Sequence, residues 1–309
     1  MHLPVMLEET VDRLNVRAGG VYLDCTVGDG GHSAEILRRC GGDCRLLALD
    51  RDAAALERAS ARLREYAGAV TFARCNHADA AAKCAELGFG GLDGAVIDTG
   101  VSSEQLDEPE RGFSFRRDGP LDMRMDCSQG ETASDIVATW SANSLAALFR
   151  DLGEEPDAAR IAAAIVRERE NAPIATTGRL ADVIAKALGP AARARRRHPA
   201  TRVFQALRMR VNRELESLDA AIGGILPLLG PGGRLAVITF ESISDRLVKR
   251  IFAAHAGKLV SLQQGGVEWK GDEPRVRRLD RHAIAPSESE RAANPRSRSA
   301  KLRAVERTE

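Results

Sequence analysis

Residues 21–32 read Val-Tyr-Leu-Asp-Cys-Thr-Val-Gly-Asp-Gly-Gly-His, a short apolar run that ends in a glycine-rich turn. A helix-like segment follows at 33–38, and a second apolar run, 46–49, ends in Asp50. Strand, glycine turn, helix, strand and acid is the layout of a nucleoside-binding βαβ unit. The glycines let the backbone approach a ligand, and a carboxylate at the tip of the second strand can accept hydrogen bonds from both ribose hydroxyls.

The spacing of the glycines indicates which nucleoside is bound. A dinucleotide fingerprint has Gly-x-Gly-x-x-Gly, which places a pyrophosphate on a helix N-terminus. Gly28, Gly30 and Gly31 are present here, but the third fingerprint position is Ser33. The turn together with Asp50 therefore favours S-adenosylmethionine, which has no phosphate, over NAD or FAD. The alternative is a tight strand-to-helix turn that binds no ligand.

The composition is that of an ordinary globular enzyme. The chain has 309 residues, 44% hydrophobic and 29% charged, with a net charge of +1. It contains no apolar run of about 18 residues, so we expect no membrane span. Because no secretory leader precedes residue 21, we expect a cytoplasmic protein with reduced thiols. The six cysteines form no C-x-x-C pair and no zinc ligand set, so no metal is expected.

Further strand and helix patterns predict an α/β fold with a doubly wound parallel sheet. After the first two strands, short aliphatic runs occur at 70–73, 92–98 and 233–240, and helical patterns lie between the earlier ones. The gap before the last run is far longer than the dozen or so residues that a crossover needs. We therefore predict a Rossmann-like domain, 1–103 and 205–309, interrupted by a helical domain, 104–204. The alternative is a long connection with no core of its own.

A single long amphipathic helix is predicted for the return to the sheet domain. Apolar residues recur at spacings of three or four from Val203 to Ile222. Positive charge is concentrated just before and within this helix, and again near the C-terminus. Such clusters are typical of a surface that binds a phosphate backbone, although a solvated helix face is the alternative. The candidate RNA-binding residues are Arg195, Arg196, Arg197, His198, Arg202, Arg296 and Arg298.

Several motifs resemble one known family. They are Asp-Thr-Gly-Val-Ser-Ser at 98–103, Glu-Arg-Gly-Phe-Ser-Phe at 110–115, Asp-Gly-Pro-Leu-Asp-Met-Arg-Met at 118–125, His-Pro-Ala-Thr-Arg at 198–202 and Asn-Pro-Arg-Ser-Arg-Ser at 294–299. Together they are similar to the bacterial 16S ribosomal RNA cytosine-N4 methyltransferases, the RsmH or MraW family. The likeness extends from about residue 4 to about residue 307, and the 118–125 run is its most specific part.

The resemblance implies a class I methyltransferase sheet, an inserted helical domain that recognises the substrate, and S-adenosylmethionine as cofactor. It implies a cytidine in the decoding region of the small-subunit rRNA as target, and it leaves the oligomeric state open, a homodimer included. Thr99 and Glu241 depart from the family pattern, and His77 stands where the family has an aromatic contact. With Gly28 from the turn, the expected cofactor contacts are Gly30, Gly31, His32, Asp50, His77, Asp98 and Gln105.

The exocyclic amine of cytosine is a poor nucleophile, because its lone pair is delocalised into the ring. A fixed acceptor for an N4 hydrogen would let that lone pair localise. Asp98, Ser102 and the backbone carbonyls between them are the candidate acceptors, and the target base must leave its stack to reach them. Three other functions remain open at this point: a dinucleotide oxidoreductase, a non-catalytic subunit-assembly factor that retains a nucleoside pocket, and a methyltransferase acting on another nucleic-acid amine.

Overall fold

A computed structural model describes residues 4–190, 198–261, 267–270 and 275–308. The chain divides into two compact units. One comprises Met1–Gly100 with Leu215–Glu309, and the other is Val101–Glu214. The boundaries predicted from the sequence are 103/104 and 204/205, so the second unit begins three residues earlier and ends later than predicted.

The first unit is built on a seven-stranded sheet, which confirms the predicted α/β class. Its order is β3-β2-β1-β4-β5-β9-β8, with β1 to β5 parallel and β9 antiparallel to both of its neighbours. A separate antiparallel hairpin is formed by β6 and β7. The strands are Gly20–Asp24 (β1), Cys44–Asp50 (β2), Val70–Arg74 (β3), Leu92–Asp98 (β4), Leu229–Thr239 (β5), Lys258–Ser261 (β6), Val267–Lys270 (β7), Val276–Arg278 (β8) and Lys301–Arg307 (β9).

All five predicted strands are present. Four of them are largely buried aliphatic runs, whereas β3, at the edge of the sheet, is only partly buried. Residues 95–97 of β4 are fully buried, as is Tyr22 in β1. The last two strands of the main sheet were not predicted. In β9 the residues Leu302, Ala304 and Val305 are buried, but charged residues interrupt them and conceal the strand pattern.

Helices cover the sheet and make up most of the second unit. Among the described residues the α-helices are Leu7–Leu14, Gly31–Arg39, Ala53–Arg62, Ala80–Leu87, Ser103–Asp107, Ala133–Thr139, Ala142–Asp151, Ala158–Asn171, Thr177–Leu188, Thr201–Val211, Glu214–Ile225, Ser242–His255 and Glu288–Ala293. None of them is long and apolar enough to cross a membrane.

The second unit has its own hydrophobic core, so it is more than a decorated connection. Phe149, Ile161 and Ile184 are fully buried in it. The helix Thr201–Val211 adds Val203 and Leu207 to the same core, which explains why this unit extends past residue 204.

The single long helix predicted from 203 to 222 is wrong. The structure has two helices, Thr201–Val211 and Glu214–Ile225, with a break at Asn212 and Arg213. Arg213 adopts a left-handed backbone conformation, with φ of 50°. The amide of Asn212 donates to the carbonyl of Met123 at 2.8 Å and accepts from the N–H of Met125 at 2.8 Å. The break therefore lets Asn212 satisfy the backbone of the 118–125 run.

The 118–125 run is a structural junction of the second unit. The carboxylate of Asp118 accepts from the N–H groups of Gly178 at 2.7 Å and Gly119 at 3.1 Å, at the start of the helix Thr177–Leu188. These backbone hydrogen bonds, Gly178 first, lower the pKa of Asp118. Asp122 and Arg124 form a bidentate ion pair within the run. The motif most specific to the family thus orders the helical unit itself.

One expectation about the thiols is wrong. Cys40 ends the helix Gly31–Arg39, and the turn through Gly41 and Gly42 brings Cys44 to within 6.1 Å between α-carbons. Both glycines have positive φ, at 65° and 77°. Cys40 and Cys44 are joined as a disulfide, whereas the sequence predicted reduced thiols.

Candidate active site at the carboxyl edge of the sheet

Three carboxylates end three neighbouring strands of the sheet. Asp24 ends β1, Asp50 ends β2 and Asp98 ends β4. The strands are parallel, and Asp24 is in register with Ala48 on one side and Val96 on the other. In open α/β sheets this is the edge at which ligands bind. Asp50 and Asp98 were predicted, whereas Asp24 was missed.

The glycine turn is tied to Asp50. Gly28 and Gly30 have φ of 52° and 76°, a conformation that favours glycine. The N–H of Gly28 donates to Oδ2 of Asp50 at 3.0 Å, and the N–H of Asp52 donates to Oδ1 at 2.9 Å. Burial raises the pKa of Asp50, and these hydrogen bonds oppose that shift. Because each carboxylate oxygen has a second acceptor site, Asp50 can also accept from ribose hydroxyls.

Gly31 and His32 have packing roles that the sequence did not reveal. A Cβ at Gly31 would lie 2.2 Å from Cγ of Pro4, so the glycine is required by the N-terminal segment. Nε2 of His32 lies 3.1 Å from the carbonyl oxygen of Val5, and the ring is buried. We therefore expect His32 to contact a ligand through its backbone N–H, which lies in the first turn of the helix.

Asp24 is held by Ser33 and Thr26. The Ser33 hydroxyl donates to Oδ2 of Asp24 at 2.7 Å, and the N–H of Thr26 donates to Oδ1 at 3.1 Å. In turn, the N–H of Asp98 donates to Oγ1 of Thr26 at 2.7 Å. Thr26 therefore links the ends of β1 and β4. The signal that could have identified Asp24 is its position, since it ends β1 as Asp50 and Asp98 end their strands.

Asp98 carries a buried polar atom that the protein does not satisfy. Its Oδ1 has no hydrogen-bond partner among the described residues. Burial, and then the negative charge of Asp24, raise the pKa of Asp98 to about 8. Burial likewise raises the pKa of Asp24 to about 6, although Ser33 opposes that shift. A cationic or hydrogen-bonding ligand at this edge would satisfy Oδ1.

His77 supplies a second unsatisfied group. It begins a short 3-10 helix, His77–Asp79, that follows β3, and its Nε2 is buried with no partner among the described residues. Burial, and then the charge of Arg51, lower the pKa of His77 to about 4, so the ring is neutral at physiological pH. A neutral imidazole can stack on a base or hydrogen-bond to it. Together with the glycine turn and Asp98, these groups fit S-adenosylmethionine.

Ser102 and Gln105 lie in the second unit and form a capping box. The Ser102 hydroxyl accepts from the N–H of Gln105 at 3.2 Å, and Oε1 of Gln105 accepts from the N–H of Ser102 at 3.1 Å. This exchange starts the helix Ser103–Asp107. Both residues therefore have a structural role in addition to the catalytic and cofactor roles predicted for them.

Two of the departures from the family pattern, Thr99 and Glu241, lie just after β4 and β5. The Thr99 hydroxyl donates to the carbonyl of Ile238 at 2.9 Å, which ties the end of β4 to β5. Glu241 is the N-cap residue of the helix Ser242–His255, and its carbonyl accepts from the N–H of Asp245 at 3.1 Å. The Thr99 side chain is thus accommodated by a backbone acceptor, whereas this contact of Glu241 is made by its backbone.

The predicted RNA-binding residues fall in separate places. His198 and Arg202 are exposed at the start of the helix Thr201–Val211, in the second unit. Arg296 and Arg298 are exposed on the 3-10 helix Pro295–Ser299, in the sheet unit. Arg195, Arg196 and Arg197 lie outside the described residues.

Part of the basic C-terminal stretch is already compensated by acids. The buried carboxylate of Asp245 pairs with Lys301 at 3.1 Å and with Arg303 at 2.7 Å. Glu306 pairs with Arg277 at 2.7 Å. These three cations are therefore compensated within the sheet unit and are poor candidates for phosphate contacts. Within the described ranges no group of His, Cys, Asp or Glu is arranged to hold a metal ion.

Comparisons with known proteins all identify one family. A family model described as the MraW methylase family matches residues 1–308. The "Ribosomal RNA small subunit methyltransferase H" of Symbiobacterium thermophilum is 48% identical over 304 residues, 98% of this chain and 96% of its own. The proteins of the same name from Oleidesulfovibrio alaskensis and Carboxydothermus hydrogenoformans are 49% and 45% identical over 308 and 306 residues. Those matches span 99% of this chain, and 95% and 97% of the respective relatives.

Proposed function

Because the chain belongs to the MraW methylase family, we propose that it transfers a methyl group from S-adenosylmethionine to the N4 amine of one cytidine in 16S rRNA. The proposed cytidine lies in the decoding region, and the substrate is the RNA within the small ribosomal subunit in the cytoplasm. The observation that carries the proposal is the buried Oδ1 of Asp98 at the sheet edge, which has no hydrogen-bond partner in the part of the chain that the structure describes. The names of the relatives support small-subunit rRNA as the substrate.

The residues that would hold the cofactor are those of the sheet edge. The carboxylate of Asp50 accepts from the ribose hydroxyls, Gly28 and Gly30 let the backbone approach, and His77 contacts the adenine. S-adenosylmethionine supplies an electrophilic methyl group on a sulfonium. Gly31, His32 and Asp98 complete the proposed set in the sheet unit, with Gly31 acting mainly through packing against Pro4. Gln105 stays a prediction from the resemblance.

Asp98 is favoured over Ser102 as the acceptor for the N4 hydrogen. The Ser102 hydroxyl already accepts from Gln105, whereas Oδ1 of Asp98 accepts from no described residue. A carboxyl whose pKa is about 8 is also a stronger base than an ordinary aspartate. When ionised, Asp98 would take up the proton that leaves N4 and hold it at Oδ1. Positioning of the amine supplies much of the remaining reduction of the activation barrier, on the order of 7–11 kcal/mol at best.

The environment of Cys25 favours methylation of the exocyclic amine over methylation at C5 of the base. Methylation at C5 uses a cysteine thiolate that attacks the ring. Cys25 is buried, and burial raises its thiol pKa well above the usual value, so it is a poor source of thiolate. Direct transfer to an exocyclic amine needs no such thiol.

The proposal is tested by incubating small subunits from a strain that lacks this gene with the protein and radiolabelled S-adenosylmethionine. We expect label in the 16S rRNA, and far less with Asp98→Asn. Arg277→Gln is a matched control, since its charge is compensated by Glu306. Absence of label with folded wild-type protein would favour a non-catalytic assembly factor. Label in another RNA would favour a different nucleic-acid amine.

A further inference from the structure

A column of three aromatic rings lies in the second unit and ends at an exposed ring. Phe204 is buried, and its ring packs edge-on against Phe115, with centroids 4.8 Å apart. On its other side Phe115 lies 4.6 Å from the ring of His198, at an interplanar angle of 35°. Phe115 is partly buried and His198 is exposed. The column therefore presents one aromatic ring, rigidly backed, to solvent.

The orientation of the exposed ring is fixed in two ways. Phe115 backs it, and Nδ1 of His198 accepts a hydrogen bond from the N–H of Ala200 at 3.2 Å. Nδ1 is thus an acceptor and Nε2 is left for the ring hydrogen. A ring held in this way loses little conformational entropy when a flat ligand stacks on it.

Two arginines lie close to the ring in the chain. Arg116 follows Phe115 directly, and Arg202 follows His198 by four residues, as the second residue of the helix Thr201–Val211. Both guanidinium groups belong to exposed residues, and neither pairs with an acid among the described residues. An aromatic platform beside uncompensated arginines is the usual arrangement for single-stranded nucleic acid, where the ring stacks on a base and the cations contact phosphates.

We infer that the column Phe204–Phe115–His198 is a stacking subsite for one unpaired RNA base, with Arg116 and Arg202 on the neighbouring phosphates. The subsite rests on the proposed function, since it deepens the assignment of RNA as substrate. The base contacts the protein by stacking on His198, and Phe115 is a positioning residue that acts through His198. Recognition is not sequence-specific, because every base offers a π-face.

The test compares two probes of equal length, an oligoadenylate and an oligoribonucleotide with abasic positions. In His198→Ala we expect oligoadenylate affinity to fall between about 5-fold and about 150-fold, the range for removal of one base stack, with abasic affinity unchanged. His198→Phe retains a ring and should bind oligoadenylate almost as wild type does. His282→Ala, at another exposed histidine, is the matched control and should change neither affinity.

Two results would overturn the inference. One is an oligoadenylate affinity in His198→Ala equal to that of wild type, which would leave the ring for a protein partner. The other is an equal loss for both probes, which would indicate a charge or folding effect. Methyl transfer by the wild-type protein is measured separately. Absence of methyl transfer would contradict the proposed function. Intact transfer together with an unchanged oligoadenylate affinity in His198→Ala would contradict only the stacking subsite.

Discussion

The hydroxyl of Ser33 donates a hydrogen bond of 2.7 Å to Oδ2 of Asp24. Ser33 occupies the position at which a dinucleotide fingerprint has its third glycine, so the departure from that fingerprint has a specific structural use. It stabilises a buried carboxylate at the end of β1, whose negative charge acts on Asp98. Ser33 is therefore connected, through Asp24, to the electrostatics of Asp98.

Ser33→Ala should reduce the free energy of unfolding, and more so above pH 6 than below. The folded pKa of Asp24, about 6, lies above the usual 3.8, so its contribution to stability is fully present below 3.8 and is lost as pH rises through 6. Removing the hydroxyl penalises mainly the ionised form, by about 1–3 kcal/mol. Urea unfolding on either side of pH 6 measures this, and an equal loss at both pH values would exclude the mechanism.

Cofactor affinity should rise with pH until about pH 8. Asp98 is protonated below its raised pKa, and only the carboxylate attracts the positive charge of S-adenosylmethionine. If the carboxylate form alone binds, each pH unit below 8 reduces affinity by up to about tenfold. Calorimetry from about pH 6 to pH 9 measures the slope, and Asp98→Asn should abolish it. A flat profile in the wild type would contradict this assignment of Asp98.

Gly31→Ala should weaken cofactor binding and stability through Pro4. The added Cβ would lie 2.2 Å from Cγ of Pro4, so the turn or the N-terminal segment must move, at a cost of about 1–3 kcal/mol. Pro4→Ala removes Cγ, the atom nearest to the added Cβ, but keeps the Cβ of residue 4 at 2.9 Å, so the double variant should recover part of the loss. Additive losses in the double-mutant cycle would instead place the requirement for glycine at the ligand.

RNA affinity should depend on salt less steeply when Arg296 and Arg298 are neutralised. Removing one phosphate interaction lowers the log–log slope by about 0.7 for single strands and about 0.9 for duplexes. Both residues are exposed, and Arg277→Gln serves as a control because Glu306 already compensates that charge. If the slope is unchanged in the double variant, these arginines form only a solvated surface.

Much of the sheet could be predicted from the sequence, because buried parallel strands are continuous aliphatic runs. β9 could not, since its outward positions carry charges, two of which bind Asp245. The break at Asn212 was also hidden. The apolar spacing continues across it, and only the tertiary contact of Asn212 with Met123 and Met125 reveals why the helix stops.

The candidate site was predicted in part for similar reasons. Asp50 and Asp98 follow apolar runs and are visible as acids at strand ends. Asp24 has the same position, but it lies inside the segment whose glycines dominate the pattern. The Ser-x-x-Gln spacing of Ser102 and Gln105 is that of a capping box, whereas the resemblance to the family implied only ligand roles for them. That Nε2 of His77 is buried without a partner among the described residues could not be predicted, because sequence alone does not give burial.

The central claim, transfer to N4 of one cytidine, is tested most directly by nucleoside mass spectrometry with mapping of the modified position. Small subunits from a strain lacking this gene are incubated with protein and S-adenosylmethionine. The account predicts N4-methylcytidine at one decoding-region site, retained in part by Cys25→Ala and reduced at least about 100-fold by Asp98→Asn. A 5-methylcytidine product, or complete loss of activity in a folded Cys25→Ala protein, would contradict it.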